Sequence, residues 1–117
     1  MKIVVEHQNL NEKTGNLEGF APVAEVDASH IHNLDEALEY AWRYTNNVDG
    51  SWSMKIGSDA NDNVTVLADL PVSKRTGNPM GLRSSMVGDR FIVEDIFGTS
   101  VHKVMPFGFQ RIDSEVA

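Results

Sequence analysis

Apolar and polar positions in the first quarter of the chain predict two β-strands. Residues 2–7 contain the β-branched run Ile3, Val4 and Val5, and residues 21–28 alternate apolar and polar positions. Both patterns are typical of strands. The ten or so residues before the second strand are rich in asparagine, threonine and glycine, which favour turns. We therefore predict an antiparallel hairpin with a long connection.

A helical pattern follows from Leu34 to about Thr45. Asn33 stands in the N-cap position, and Glu36 lies three residues later, where an acid completes a capping box. Apolar residues recur at three- and four-residue spacing and predict one stripe that packs on the sheet. The stripe comprises Leu34, Ala37, Leu38, Ala41, Trp42 and Thr45.

Short strand patterns recur in the second half of the chain. They lie at residues 63–68, 90–94, 101–105 and 109–112, with a turn at residues 95–98. Residues 73–81 hold two glycines, a proline and two adjacent cations. We interpret them as a mobile or partner-shaped basic loop.

Together these elements predict one small α+β domain over residues 1–117. It consists of a small antiparallel sheet with one main helix, about residues 34–45, packed on one face. Residues 1–50 would form the hairpin and the helix, and residues 51–117 the short strands and the basic loop at about 73–81. One helix covers only part of a sheet, so we expect self-association through an edge or face, as a homodimer or larger homo-oligomer.

The charge of the chain is negative and unevenly distributed. Ten Lys and Arg residues stand against 17 Asp and Glu residues, a net charge of −7, and nine of the acids precede Gly50. Residues 74–90 instead carry a local charge of +3. Since an acidic surface repels phosphate backbones, direct nucleic-acid binding is not expected.

Two further absences from the sequence narrow the expectations. Without cysteine, the chain has no thiol nucleophile, disulfide or cysteine metal site. No apolar run is long enough to span a membrane or to form a signal segment, so we expect a cytoplasmic protein with no membrane partner.

Other candidate groups have simple structural interpretations. Residues 59–63 begin like a calcium loop, but Val64 and Leu70 occupy the positions that require glycine and glutamate. His30 and His32 precede a helix cap and are interpreted as solvated loop residues.

No catalytic arrangement of residues is evident, so we expect a protein that is not an enzyme and holds no metal or cofactor.

The most distinctive segment is residues 81–90, which combines arginines, hydroxyls and a glycine-aspartate turn. Such groups can form an anion-binding corner. The candidate ligand-binding residues are Arg83, Ser84, Ser85, Gly88, Asp89 and Arg90, together with Lys74, Arg75 and Trp52. The alternative is a structural turn, in which Arg83 pairs with an acid and Ser85 and Asp89 bond their own backbone. Trp52 would either stack on a ligand or cover the end of the core.

The same segment carries a resemblance to a known group of proteins. The residues concerned are Arg83-Ser84-Ser85-Met86-Val87-Gly88-Asp89, then Phe91-Ile92-Val93 and Gly108-Phe109, preceded by Thr45-Asn46, Asp49 and Trp52. Over about residues 38–112 in outline, they resemble small phage- and plasmid-borne proteins with a YodL-like C-terminal segment. Ser85-Met86 and Arg90 depart from that group's pattern. The resemblance implies a mobile-element accessory protein in a bacterial cytoplasm, and it carries no settled biochemical activity.

Three functional hypotheses remain open at this point. The first is a non-catalytic phage or plasmid protein that binds a host factor, such as a defence factor, through its acidic surface and blunts its activity. The second is a binding module that sequesters a small phosphorylated ligand, such as a nucleotide signal, in the Arg83–Arg90 region. The third is an enzyme that acts on nucleotides.

Overall fold

The computed structural model describes residues 1–112, which form a six-stranded antiparallel sheet and one α-helix. The strands are β1 (Lys2–Leu10), β2 (Leu17–Asp27), β3 (Val64–Val66), β4 (Arg90–Asp95), β5 (Gly98–Val104) and β6 (Phe109–Arg111), and the helix α1 is Leu34–Arg43. Their order across the sheet is β3-β2-β1-β4-β5-β6. The prediction of an antiparallel sheet with one helix is confirmed for the described residues, and the sheet dominates.

Strand β1 lies in the middle of the sheet and pairs with β2 on one side and β4 on the other. The predicted hairpin of β1 and β2 is confirmed, but its connection is shorter than predicted. Both strands continue beyond the predicted ends, so that only residues 11–16 connect them. The Asn11 side chain closes this turn by accepting the backbone N–H groups of Lys13 and Thr14.

Helix α1 begins at the predicted position because Asn33 caps it. The Asn33 side-chain oxygen accepts the backbone N–H of Glu36 at 3.1 Å. The helix ends at Arg43, two residues earlier than predicted, since Tyr44 has left helical geometry (φ −93°, ψ 9°). Thr45 nevertheless remains buried, and its hydroxyl donates to the carbonyl of Ala41 at 2.8 Å.

The hydrophobic core combines residues of the sheet and of the helix. Alternate residues of β1, namely Ile3 and Val5, are fully buried, as half-buried strands require. The core comprises Ile3, Val5, Val23, Ala24, Val26, Ala28, Ala37, Leu38, Ala41, Trp52, Val64, Phe91, Val93 and Val104. Its largest side chain, Trp52, comes from the long connection between α1 and β3.

That connection is held in place by the buried carboxylate of Asp59. One oxygen accepts the backbone N–H groups of Val48, Asp49 and Gly50 at 3.0, 3.0 and 2.7 Å, and the other accepts Arg43 Nη1 at 2.9 Å. The Gly50 N–H is the strongest influence that lowers the pKa of Asp59, against the opposing effect of burial. An otherwise irregular segment is thereby fixed, and Trp52 is positioned in the core.

We expect the Asn33 cap to be needed for full stability. Asn33→Ala removes the acceptor for the Glu36 N–H and should lower the free energy of unfolding by about 1 kcal/mol, measured by urea denaturation. Asn33→Asp keeps an acceptor at this position and should stay within about 0.5 kcal/mol of the parent. Equal losses in the two variants would contradict the role of the cap.

Candidate functional site

The centre of the predicted ligand corner is an ion pair between the Asp89 carboxylate and the Arg83 side chain, which is 39% exposed. Asp89 is fully buried. Arg83 donates to both of its carboxylate oxygens, from Nη1 at 2.7 Å and from Nη2 at 2.9 Å. The backbone N–H groups of Gln8 and Met86 donate to the same carboxylate at 2.8 and 2.7 Å. Burial raises the pKa of Asp89, but the Arg83 guanidinium and these N–H groups outweigh it and keep the pKa below its usual value.

The remaining polar groups of the turn are also bonded within the protein. The Ser84 hydroxyl accepts the backbone N–H of Asn47 at 2.8 Å, and the Ser85 hydroxyl lies 2.8 Å from that of Thr45. Gly88 has a positive φ of 95°, and a Cβ there would come within 3 Å of three atoms of the Gln8 side chain. These contacts agree with the structural alternative for Arg83, Gly88 and Asp89. Ser85 differs from it, because its hydroxyl contacts distant side chains rather than its own backbone.

His7, Ser85 and Asp89 are the residue types of a hydrolase triad, but their geometry is different. His7 Nε2 lies 3.0 Å from Ser85 Oγ and 3.8 Å from Asp89 Oδ2. A triad histidine uses one ring nitrogen for the nucleophile and the other for the acid, whereas here one nitrogen faces both. His7 and Ser85 are only 6% and 4% exposed. This trio therefore joins β1 to the turn before β4 rather than presenting a nucleophile to a substrate.

Trp52 is a fully buried residue of the core. Its side chain is 0% exposed, and its indole N–H donates to the carbonyl of Arg83 at 3.0 Å. A ring with this burial offers no exposed face on which a ligand could stack. The interpretation as a cover for the core agrees with this burial.

Arg90 does not join Arg83 in one corner. Successive strand residues point to opposite faces, so Arg90 lies on the other face of the sheet from the buried Phe91. Arg90 Nε donates to Glu6 Oε1 at 2.5 Å, and its guanidinium lies 4.0 Å from the centre of the Phe20 ring. Arg83 and Arg90 are thus neutralised separately, each by its own carboxylate.

Lys74 and Arg75 lie at the exposed tip of a compact turn, apart from the Arg83 ion pair. Backbone bonds close this turn, from Ser73 N–H to the Asn78 carbonyl at 2.9 Å and from Gly77 N–H to the Ser73 carbonyl at 2.8 Å. The basic loop thus has regular internal bonding. It presents two cations to solvent on a protein whose other exposed charges are mostly acidic.

The acids of the first half remain at the surface. Those that are exposed and form no ion pair with any residue of 1–112 are Glu12, Glu18, Asp27, Asp35, Glu36, Glu39 and Asp49. By contrast, four of the ten cations, Lys2, Arg43, Arg83 and Arg90, are ion-paired to acids. The electrostatic potential around the first half of the chain is therefore set mainly by these unpaired carboxylates.

Comparison with known proteins gives no match. No protein-family model, curated protein or solved structure matches this chain significantly. Within residues 1–112, no helix is both long and apolar enough to cross a membrane, and no cluster of three or more histidine or acidic side chains is arranged to hold a metal ion.

Sequence reasoning missed His7 as a member of the central network. His7 continues the buried alternation of Ile3 and Val5 on β1, so its inward orientation follows from the strand pattern already predicted for residues 2–7. Its partner Ser85 is 78 residues away in sequence. No local signal indicates which serine that would be.

We expect Arg83 to contribute to stability rather than to ligand binding alone. Arg83→Ala leaves the buried Asp89 carboxylate without its cation and should lower the free energy of unfolding by about 3 kcal/mol, measured by urea denaturation. Arg75→Ala removes an exposed, unpaired cation and should change it by less than about 0.5 kcal/mol. An unchanged unfolding midpoint in the Arg83 variant would overturn this assignment.

His7 should make the protein less stable in mild acid. Burial is the main cause that lowers the pKa of His7 from 6.5 to about 4, so the unfolded chain binds a proton between these pH values that the folded protein does not. The free energy of unfolding should fall by about 3 kcal/mol as the pH drops through this window. His7→Gln removes the titrating group, so the free energy of unfolding of this variant should fall less over the same pH range. Urea denaturation at several pH values measures both slopes, and equal slopes would contradict the prediction.

Proposed function

We propose that this protein is a non-catalytic binding protein whose exposed acids engage a basic site on another protein. The observation that carries the proposal is a difference in ion pairing between the arginines of the candidate site and the acids of the first half. Arg83 and Arg90 are each paired with a carboxylate of the same chain, whereas seven exposed acids of the first half form no ion pair within residues 1–112. A surface with this charge speeds association with a basic partner and disfavours acidic ones.

The biological setting of the proposal comes from the resemblance to phage- and plasmid-borne proteins with a YodL-like segment. In that setting the chain acts in a bacterial cytoplasm, where it binds a host factor and blunts its activity. We further propose that helix α1 packs on one face of the sheet and that copies of the chain associate through the rest of the sheet. Antiparallel sheets often leave one face uncovered, which agrees with this arrangement.

The test compares matched charge variants in a quantitative capture experiment from a bacterial lysate. Glu12→Lys, Glu18→Lys and Glu39→Lys are combined in one variant, and Lys74→Glu and Arg75→Glu in a control variant. Since all five positions are exposed, both variants should fold. The proposal predicts that the parent and the control capture the same basic proteins, that the acid variant loses them, and that about 0.5 M salt releases them.

Two outcomes would contradict the proposal. Equal capture by the acid variant would show that these acids do not form the binding surface. A phosphorylated small molecule that is retained in native mass spectra of the parent, and is lost in an Arg90→Ala variant, would favour the ligand-sequestering alternative in the Arg83–Arg90 region. Native mass spectrometry also gives the number of subunits, and a monomer would remove the proposed self-association.

A further inference from the structure

The turn between β4 and β5 carries two large apolar residues at its most exposed positions. Ile96 is 93% exposed and Phe97 is 91% exposed. Two-residue hairpin turns favour asparagine, aspartate and glycine, and nothing in the turn requires isoleucine or phenylalanine. Asp95 fixes the turn, since its side chain accepts the Phe97 N–H at 2.7 Å. The two apolar side chains are thus held on a short, closed turn and face water.

A groove lies beside this turn, across the ends of β1, β2 and β4. Its volume is about 820 Å³, and its lining combines apolar side chains with carboxylates. The apolar lining includes Ile31, Ile96 and Phe97, and the acidic lining consists of Glu25, Asp27, Glu94 and Asp95. The only lining Lys or Arg among residues 1–112 is Lys2, which pairs with Glu94 at 2.9 Å and lies 3.9 Å from Glu25. Met1 also lines the groove and its amino group acts on Asp27, so four carboxylates stand against two cationic groups and the groove is net acidic.

We infer that this groove is a docking site for a protein segment that places an apolar side chain between lysines or arginines. The inference rests on the proposed function and names the chemistry of its partner. The apolar side chain would pack against Ile96 and Phe97, where burial of exposed apolar surface favours binding. The flanking cations would meet Glu25, Asp27, Glu94 and Asp95, which raise the association rate and set the orientation.

The charge of the groove disfavours other occupants of an exposed apolar turn. An anionic membrane would be repelled by the four carboxylates, although Ile96 and Phe97 alone would suit insertion. A second copy of the chain that docked turn to turn would bring two acidic rims together, which is also unfavourable. A basic segment is the one class for which the apolar and the charged parts of the groove are both complementary.

Three synthetic hexapeptides test the inference by amide NMR titration of the whole chain. The first is Lys-Lys-Leu-Trp-Lys-Lys, the second replaces its apolar pair with Ser-Ser, and the third replaces its lysines with glutamates. Only the first should shift the amides of residues 94–98 strongly. The double variant Ile96→Ser and Phe97→Ser should weaken its binding by about tenfold or more, as expected for central anchor residues.

The matched control is Phe107→Ser, because Phe107 is 97% exposed in the turn before β6 and is absent from the groove lining. This variant should bind the first peptide within about twofold of the parent, since it lies outside the proposed contact. Equal weakening by the control and the double variant would overturn the inference.

The two lysine peptides separate this inference from the proposed function. If both bind equally at acids away from residues 94–98, the acidic surface is functional but the groove is not the docking site. If neither shifts any amide, the docking site and the proposed recognition of basic partners both fail. If the glutamate peptide binds as well as the first, the carboxylates do not select the partner and the inference fails.

Discussion

The pairing of Arg83 with the buried carboxylate of Asp89 is the interaction on which the rest of the structure depends. A carboxylate that is completely removed from water is costly unless it is paired and hydrogen-bonded. Asp89 meets this requirement with two parts of the chain, namely its own turn, which supplies Arg83 and the Met86 N–H, and β1, which supplies the backbone N–H of Gln8. One side chain therefore holds the turn before β4 against the central strand.

A second layer of polar contacts extends from this ion pair to the helix. Ser85 lies between His7 of β1 and Thr45, and the Thr45 hydroxyl donates to the last turn of α1. The Arg83 carbonyl in turn receives the indole N–H of Trp52. Strand, helix end and core tryptophan thus converge on residues 83–89. In this arrangement the positive charge of Arg83 is balanced by the carboxylate of Asp89 within the same segment.

Local features were predictable from the sequence, whereas contacts between distant segments were not. The Asn33 cap, the start of α1 and the positions of the strands follow from side-chain chemistry and periodicity over a few residues. The partner of Arg83 could not be identified, because 17 acids are available in the sequence and the choice depends on the folded chain. The burial of Trp52 was also undetermined, since its position depends on the connection that Asp59 holds. The exposed Ile96 and Phe97 lie in a segment recognised only as a turn.

The place of β1 in the sheet affects how the chain can fold. β1 and β2 form the first hairpin, yet the other edge of β1 pairs with β4, where Lys2 lies opposite Glu94. Contacts of such large sequence separation form slowly because a long loop must close first. During synthesis, the edge of β1 that pairs with β4 and the His7 side chain therefore lack their partners until residues 85–95 have left the ribosome. The same network that stabilises the finished protein makes its first half dependent on the last third.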